Sequence, residues 1–341
     1  WLELDTPCSW SGVTCTDRHV TKLSFYYNSM SGWLPAEIGK LSKLRVLDLY
    51  HDDLSGPIPP EIGKLHHLER LGLGGNSLNG ELPVELGGLT DLMTLDLFGN
   101  QLTGQIPVEL ADLTHLKFLS LANNDLEGSI PADFGNLTDL TYLGLDHNRI
   151  SGSIPPELGN LYPLRSLILS SNRLTGFVPP ELGKLTQLNN LTMDQNPLTG
   201  GVPLTFTSLT AVWSFRFDHT GICEPADHAF QVWRAHVTDW ASTWQGCSKI
   251  TGRVKIGDGG VWRVLITDLN GQSTGTDTDG AFTLEGLSPR LHTLTPVKDG
   301  YAFQPPFIEV TLPPDVLSIS FDAVKVEPLY KELYLSYLSR R

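Results

Sequence analysis

Residues 100–124 read NQLTGQIPVELADLTHLKFLSLANN, a stretch that begins and ends on asparagine and spaces its leucines, isoleucine and valine in a way that neither a plain helix nor a plain strand explains. It is one copy among many. Proline recurs at 35, 59, 83, 107, 131, 155, 179 and 203 without slippage, and glycine at 32, 56, 80, 104, 128, 152, 176 and 200. A fixed period of this length marks units too small to bury their own apolar face, so that neighbours must stack into a solenoid.

Within a unit, Leu113, Leu116, Leu119, Leu121, Leu126 and Ile130 are matched one period later by Leu137, Leu140, Leu143, Leu145, Ile150 and Ile154. The Leu119-x-Leu121 step alternates as a strand does when one face is hidden, so each unit is expected to give one short strand to a parallel sheet, with the other leucines turned inward. Asn76, Asn100, Asn124, Asn148, Asn172 and Asn196 follow those strands. Turned inward, their amides are expected to satisfy backbone groups that the bending chain would otherwise bury unpaired.

These residues resemble the plant-type 24-residue subclass of the leucine-rich repeat family, LxxLxxLxLxxNxLxGxIPxxLGx, from Val20 to about Ile222, in nine units counting the imperfect first and last. The resemblance implies a solenoid with a parallel sheet on its concave face and an irregular or 3-10 convex side. The departures are Asp52 and Thr220 at the asparagine position, and Val212, Phe215 and Phe217 where the array ends. CSWSGVTC, Cys8 to Cys15, resembles the amino-terminal cap of such ectodomains. Cys223 and Cys247 bracket Phe230, Trp233, Val237, Trp240 and Trp244, whose three-and-four spacing reads as a cap helix on the last coil. Disulfides Cys8–Cys15 and Cys223–Cys247 follow from that assignment. Loop closure would give them roughly 2.5 and 3.5 kcal/mol.

After Cys247 the repeat stops, and short alternating runs separated by turns, including the Leu269-Asn270-Gly271 hairpin signal, read as about seven strands of a small Ig-like β-sandwich. ITGRV, TDTDGAFTLEGL and GYAFQPP resemble the carboxypeptidase-regulatory-like or CnaB-like domains of bacterial surface proteins, although GDGGVWRVLI stands where their proline-rich segment is expected. Asp277-Thr278-Asp279-Gly280 reads as a turn rather than a calcium loop, because Gly275 stands where a ligand would be needed. The domains are thus 1–19 cap, 20–222 solenoid, 223–248 cap, 249–325 sandwich and 326–341 tail. The tail EPLYKELYLSYLSRR alternates like a strand and is also spaced like a helix, and it serves either as a packing segment or as a sorting signal.

Four cysteines at the boundaries and none in the core point to an oxidising, extracellular setting, and a chain opening on Trp1 suggests a trimmed amino terminus. No apolar run is long enough to cross a bilayer. A formal charge of −14 in 341 residues opposes nucleic-acid binding. No zinc spacing, HExxH, GxSxG or GxxxxGK[ST] occurs, so no metal, cofactor or catalysis is expected. Asn136-Leu137-Thr138 and Asn190-Leu191-Thr192 are glycosylation acceptors in a eukaryotic host.

Surface is what remains. Residues around each Leu-x-Leu project from the concave sheet, among them Tyr27, Asp48, Arg70, Asp96, Arg165 and Thr192. The nominated binding set is Tyr26, Tyr50, His51, Phe98, Phe118, Tyr142, Asp146, His147, Asp194, Trp213, Arg216 and Asp218, since aromatics beside charged groups combine large area with directional contacts. Nine strands at about 4.8 Å spacing span close to ~40 Å. That length suits a protein, peptide or glycan ligand of a secreted or surface-displayed recognition or adhesion protein. The alternative reading is a structural subunit that assembles into a homo-oligomer or filament through the sandwich and tail.

Overall fold

The computed structural model describes residues 7–242, 246–268, 272–287, 291–312 and 317–326. The Asn-Gly turn, Trp244 and the tail beyond Val326 lie outside these residues. Two compact units result: the first contains residues 7–199, 203–220 and 227–242, the second 200–202, 221–226 and the described residues from 246 onward.

In the first unit each coil is set by the same few residues. The Leu-x-Leu strand joins an eleven-stranded sheet that runs in chain order from Val13–Thr16 to Asp239–Ala241, antiparallel at its first pairing and parallel thereafter. Its leucines point inward and are fully buried, as at Leu116, Leu119 and Leu121. On the opposite side, each proline from Pro35 to Pro203 holds an extended backbone and opens a five-residue 3-10 turn, Ala36–Lys40 in the first coil and Leu204–Ser208 in the last.

The glycine inside this turn is dictated by stacking. A Cβ on Gly63 would come 2.5 Å from the Glu85 carbonyl oxygen of the next coil, and one on Gly135 2.6 Å from that of Glu157. Close approach of two backbones is what fixes the residue.

Stacking also leaves backbone groups needing partners, and the asparagine ladder supplies them. Asn124 donates through Nδ2 to the carbonyls of Leu97, Leu121 and Ala122 at 3.0–3.2 Å, and its Oδ1 accepts from the Leu102 amide at 3.0 Å. Asn76, Asn100, Asn148, Asn172 and Asn196 repeat this pattern. Asp52 keeps only the acceptor half: Oδ1 takes the amides of Asn28 and Met30, while its buried Oδ2 has no partner among the described residues.

Three expectations need correction. Each coil was expected to give one strand, but many give two: Ser31–Trp33, Asp53–Gly56, Ser77–Glu81 and Gln101–Thr103 form a second parallel sheet, and Ser151–Gly152 pairs with Arg173–Leu174. The Leu-x-Gly step places Leu54, Leu78 and Leu102 inside and polar neighbours outside.

The cap helix is also shorter than the tryptophan spacing implied. It spans His228–Arg234, capped by the Asp227 carboxylate on the Phe230 amide, and Trp240 lies instead in the strand Asp239–Ala241, which extends the concave sheet beyond Ser214–Arg216. Packing of Phe206, Phe215, Phe217 and Phe230 against Trp233 and Trp240 ends the array, with Trp233 Nε1 donating to the Leu209 carbonyl at 3.0 Å. The added strand pairs what would otherwise be an open edge of the sheet.

Both disulfides form, Cys8–Cys15 and Cys223–Cys247. Both cysteines of the second lie in the second unit, while the helix between them belongs to the first.

The third correction is to the strand number of the second unit, which has nine described strands from Ser248–Ile256 to Leu317–Lys325 rather than about seven. One sheet pairs Ser248–Ile256 with Ala281–Leu287 and Leu317–Lys325; the other pairs Leu265–Asp268 with Ser273–Gly275 and Leu291–Val297. Ile250, Val254, Ile266, Leu294 and Phe321 share one core between them. Inside it the Asp268 carboxylate and the His292 ring meet at 2.9 Å, both buried. Asp277 behaves as a turn residue, its Oδ1 accepting from the amides of Asp279 and Ala281.

Candidate functional site

Each concave strand presents its outward residues in files, because parallel in-register pairing sets the same position of successive coils side by side: Thr94, Phe118, Tyr142 and Ser166 form one file. After each strand the chain turns through a left-handed residue, His51, Asn123, His147, Ser171, Gln195 or His219, at φ between 53° and 56°. That turn folds the residue back beside its predecessor. His147 Nδ1 thus meets Asp146 Oδ2 at 3.0 Å, and His219 Nδ1 meets Asp218 Oδ2 at 2.9 Å, contacts that an extended strand does not make between adjacent residues.

The front half of the face carries a closed polar network. Tyr26 Oη donates to Asp48 Oδ2 at 3.0 Å, Arg70 Nε donates to Asp48 Oδ1 at 2.7 Å, and Arg70 Nη2 donates to Tyr50 Oη at 3.3 Å. Tyr50 Oη donates in turn to Asp96 Oδ2 at 3.1 Å, and the Phe98 amide to Asp96 Oδ1. Burial raises the Asp96 carboxyl above the ordinary carboxylate range. Burial also pushes the Tyr50 phenol well above its usual value, aided by the Asp96 charge beside it.

Aromatic rings line the groove above and beyond this network. Tyr27 stacks on His51 with centroids 4.7 Å apart, His51 meets Phe98 edge-on at 5.6 Å, and Phe118 stacks on Tyr142 at 4.4 Å. Glycines of the third coil leave room for Tyr50, Phe98 and His51. A Cβ at Gly72, Gly74 or Gly75 would run into Tyr50, Phe98 or His51 respectively. Burial, and then the Asp146 charge, raises the Tyr142 phenol.

The back half differs in kind. Asp146, Asp194 and Asp218 fall on one file, and none of them meets a lysine or arginine among the described residues: Asp194 accepts from Ser170 Oγ at 2.5 Å, and the other two pair with their adjacent histidines. Trp213 stands half exposed and Arg216 is exposed. Asn190 Oδ1, Thr192 Oγ1 and Asp218 Oδ1 on the same coils are buried with no partner among the described residues.

Of the nominated residues, Tyr26, Tyr50, His51 and Phe98 cluster on coils one to four, Phe118, Tyr142, Asp146 and His147 on coils five and six, and Asp194, Trp213, Arg216 and Asp218 on coils eight and nine. Tyr50 is 8% exposed and lies over Gly72 with its hydroxyl held between Arg70 and Asp96. Asp48, Arg70 and Asp96 were recognisable as facing positions, but nothing in the repeat pattern marked them as one network. A cavity of about 650 Å³, lined by Val13, Leu23, Trp33, Ile38 and Leu47, sits at the front end between the layers, away from the concave face. Among the described residues, no group of three or more His, Cys, Asp or Glu is placed to hold a metal ion.

Comparison with known proteins agrees with this architecture. Residues 22–130 match a family model described as "Leucine-rich repeat region", and residues 139–161 and 163–185 match "Leucine Rich Repeat". The solenoid is a leucine-rich repeat array. Among solved structures, it is similar to the ectodomain of the Arabidopsis thaliana receptor kinase GASSHO1/SCHENGEN3, crystallised with CASPARIAN STRIP INTEGRITY FACTOR 2, at 30% identity and a TM-score of 0.64 over 74% of this chain and 30% of that one. It is also similar to the Arabidopsis HAESA ectodomain, crystallised with an IDA peptide hormone, at 32% identity and 0.62 over 70% and 40%. Over 45 residues it is 49% identical to the LRR receptor-like serine/threonine-protein kinase FEI 2 of Arabidopsis thaliana, covering 13% of this chain and 8% of that protein. The chain therefore spans less than half the length of each of these relatives. Likeness to receptor ectodomains together with two disulfides identifies an extracellular or cell-surface protein. No helix among the described residues is long and apolar enough to cross a membrane.

Proposed function

We propose that this chain is a non-catalytic extracellular recognition protein that binds an extended peptide along its concave face. The observation that carries this reading is the two aromatic clusters, Tyr27–His51–Phe98 and Phe118–Tyr142, whose rings pack against one another between coils. Rings already held in place lose little conformational freedom on binding, and alternate side chains of an extended partner can settle between successive coils. The HAESA structure, whose ligand is a peptide hormone, supports the choice of peptide over glycan. Fold alone does not fix function, so the argument rests on the rings.

The second unit we read as an Ig-like, CnaB-like sandwich. Support comes from its two sheets around one apolar core.

The test is a panel of secreted peptides and oligosaccharides presented to the wild type and to a variant with Phe98, Phe118, Tyr142 and Trp213 changed to alanine. A peptide held by the wild type and bound at least about tenfold more weakly by the variant is expected, as two or more aromatic anchors are lost. Equal binding by the two proteins would remove the concave face from the account.

A further inference from the structure

The two halves of the concave face differ in how their charges are satisfied. In front, Asp48 is engaged by Arg70 and Tyr26, and Asp96 by Tyr50 and a backbone amide. At the back, Asp194 and Asp218 follow the adjacent strands Asn190–Thr192 and Ser214–Arg216, about 5 Å apart at the usual strand spacing, with no lysine or arginine between them among the described residues. Like charges placed side by side on a sheet repel each other. A cation seated between them would remove that repulsion.

The floor between these carboxylates points the same way. Thr192 lies between the inward-facing Leu191 and Met193, so its side chain faces the concave side; it is 9% exposed and its hydroxyl has no partner among the described residues. Asn190 Oδ1, two residues earlier, and Asp218 Oδ1, on the next coil, are likewise buried acceptors without donors. Buried polar groups left unpaired are costly, and such a cluster at a surface is accounted for by a ligand that supplies the missing donors. What is missing is a set of N–H groups carrying positive charge.

We propose that Asp194, Asp218, Thr192 and Asn190 form a subsite for a lysine or arginine side chain of the bound peptide. The proposal rests on the peptide reading above and gives the ligand a direction: its apolar residues lie over the rings of the front and middle coils, and its basic residue lies over coils eight and nine. Arg216, beside Thr192 in the same row, is a basic group close to this floor, and it has no ion pair among the described residues. It limits the cation to the Asp194 side of the row.

The experiment uses the full chain, immobilised, and a positional-scanning library of nine-residue peptides read by mass spectrometry. The wild type should enrich peptides that carry lysine or arginine at a fixed distance from an aromatic residue. An Asp194→Asn/Asp218→Asn variant should lose that basic preference by about tenfold or more while keeping the aromatic one, as expected for loss of charge-assisted hydrogen bonds. Arg216→Ala should strengthen the basic preference. Thermal melts of each variant, and the single Asp218→Asn change, guard against misfolding as the cause. Enrichment of peptides with no basic residue, or a basic preference untouched by the double change, would overturn the subsite and leave the peptide reading standing. Enrichment of no peptide at all would overturn both.

Discussion

The ring of Tyr50 lies across the backbone of Gly72 on the neighbouring coil, so closely that a Cβ on Gly72 would come 2.5 Å from the Tyr50 hydroxyl oxygen and nearer still to the ring. Gly72 does not have a positive φ, so the conflict is steric alone. Gly72→Ala is expected to destabilise the protein by about 1–3 kcal/mol through overpacking. Adding Tyr50→Ala should recover much of that loss, giving a strongly non-additive pair in urea unfolding. Additive losses would mean that Tyr50 is not held against this glycine.

Asn124 is expected to be worth more than any single surface contact. Its replacement by alanine strands the Leu102 amide, while the Leu97, Leu121 and Ala122 carbonyls keep Asn100, Asn148 and the Gly99 amide as donors, so the expected loss is roughly 1–3 kcal/mol for one buried unpaired group. Hydrogen exchange is the direct reading: the Leu102 amide, protected in the wild type, should exchange with the neighbouring coils still protected. Unchanged exchange at Leu102 would contradict the ladder's role.

Much of this was legible in the residues. Proline and glycine at a fixed period gave the solenoid, and the asparagine amides gave the ladder, because both are local demands of one coil on the next. The second sheet was not, since Gln101-Leu102-Thr103 is too short to show alternation and its leucine had already been counted as core. Trp240 was assigned to a helix because three-and-four spacing was satisfied, yet a strand was needed to pair the edge beyond Ser214–Arg216. The concave positions could be listed, but whether Tyr50 stands up or lies down depends on what its neighbour lacks, and Gly72 is 22 residues away.

Asp96 sets a pH dependence of stability. Its carboxyl is raised in the folded state, so the native protein holds that proton more tightly than the unfolded chain does. Its contribution is therefore fully present below the unfolded carboxylate pKa, and it is lost as pH rises through the raised folded value. Urea midpoints measured from pH 3.5 upward should show a decline in this window that Asp96→Asn flattens. A steeper decline in the variant would reverse the assigned sign.

Photo-crosslinking tests the central claim most directly. Benzoylphenylalanine is placed in turn at Phe118 and Trp213 on the concave face and at Glu109 and Glu157 in the 3-10 turns, and a library-selected peptide is added before irradiation. Adducts at 118 and 213, with none at 109 and 157, are the predicted result. Adducts confined to 109 and 157 would contradict recognition by the concave face.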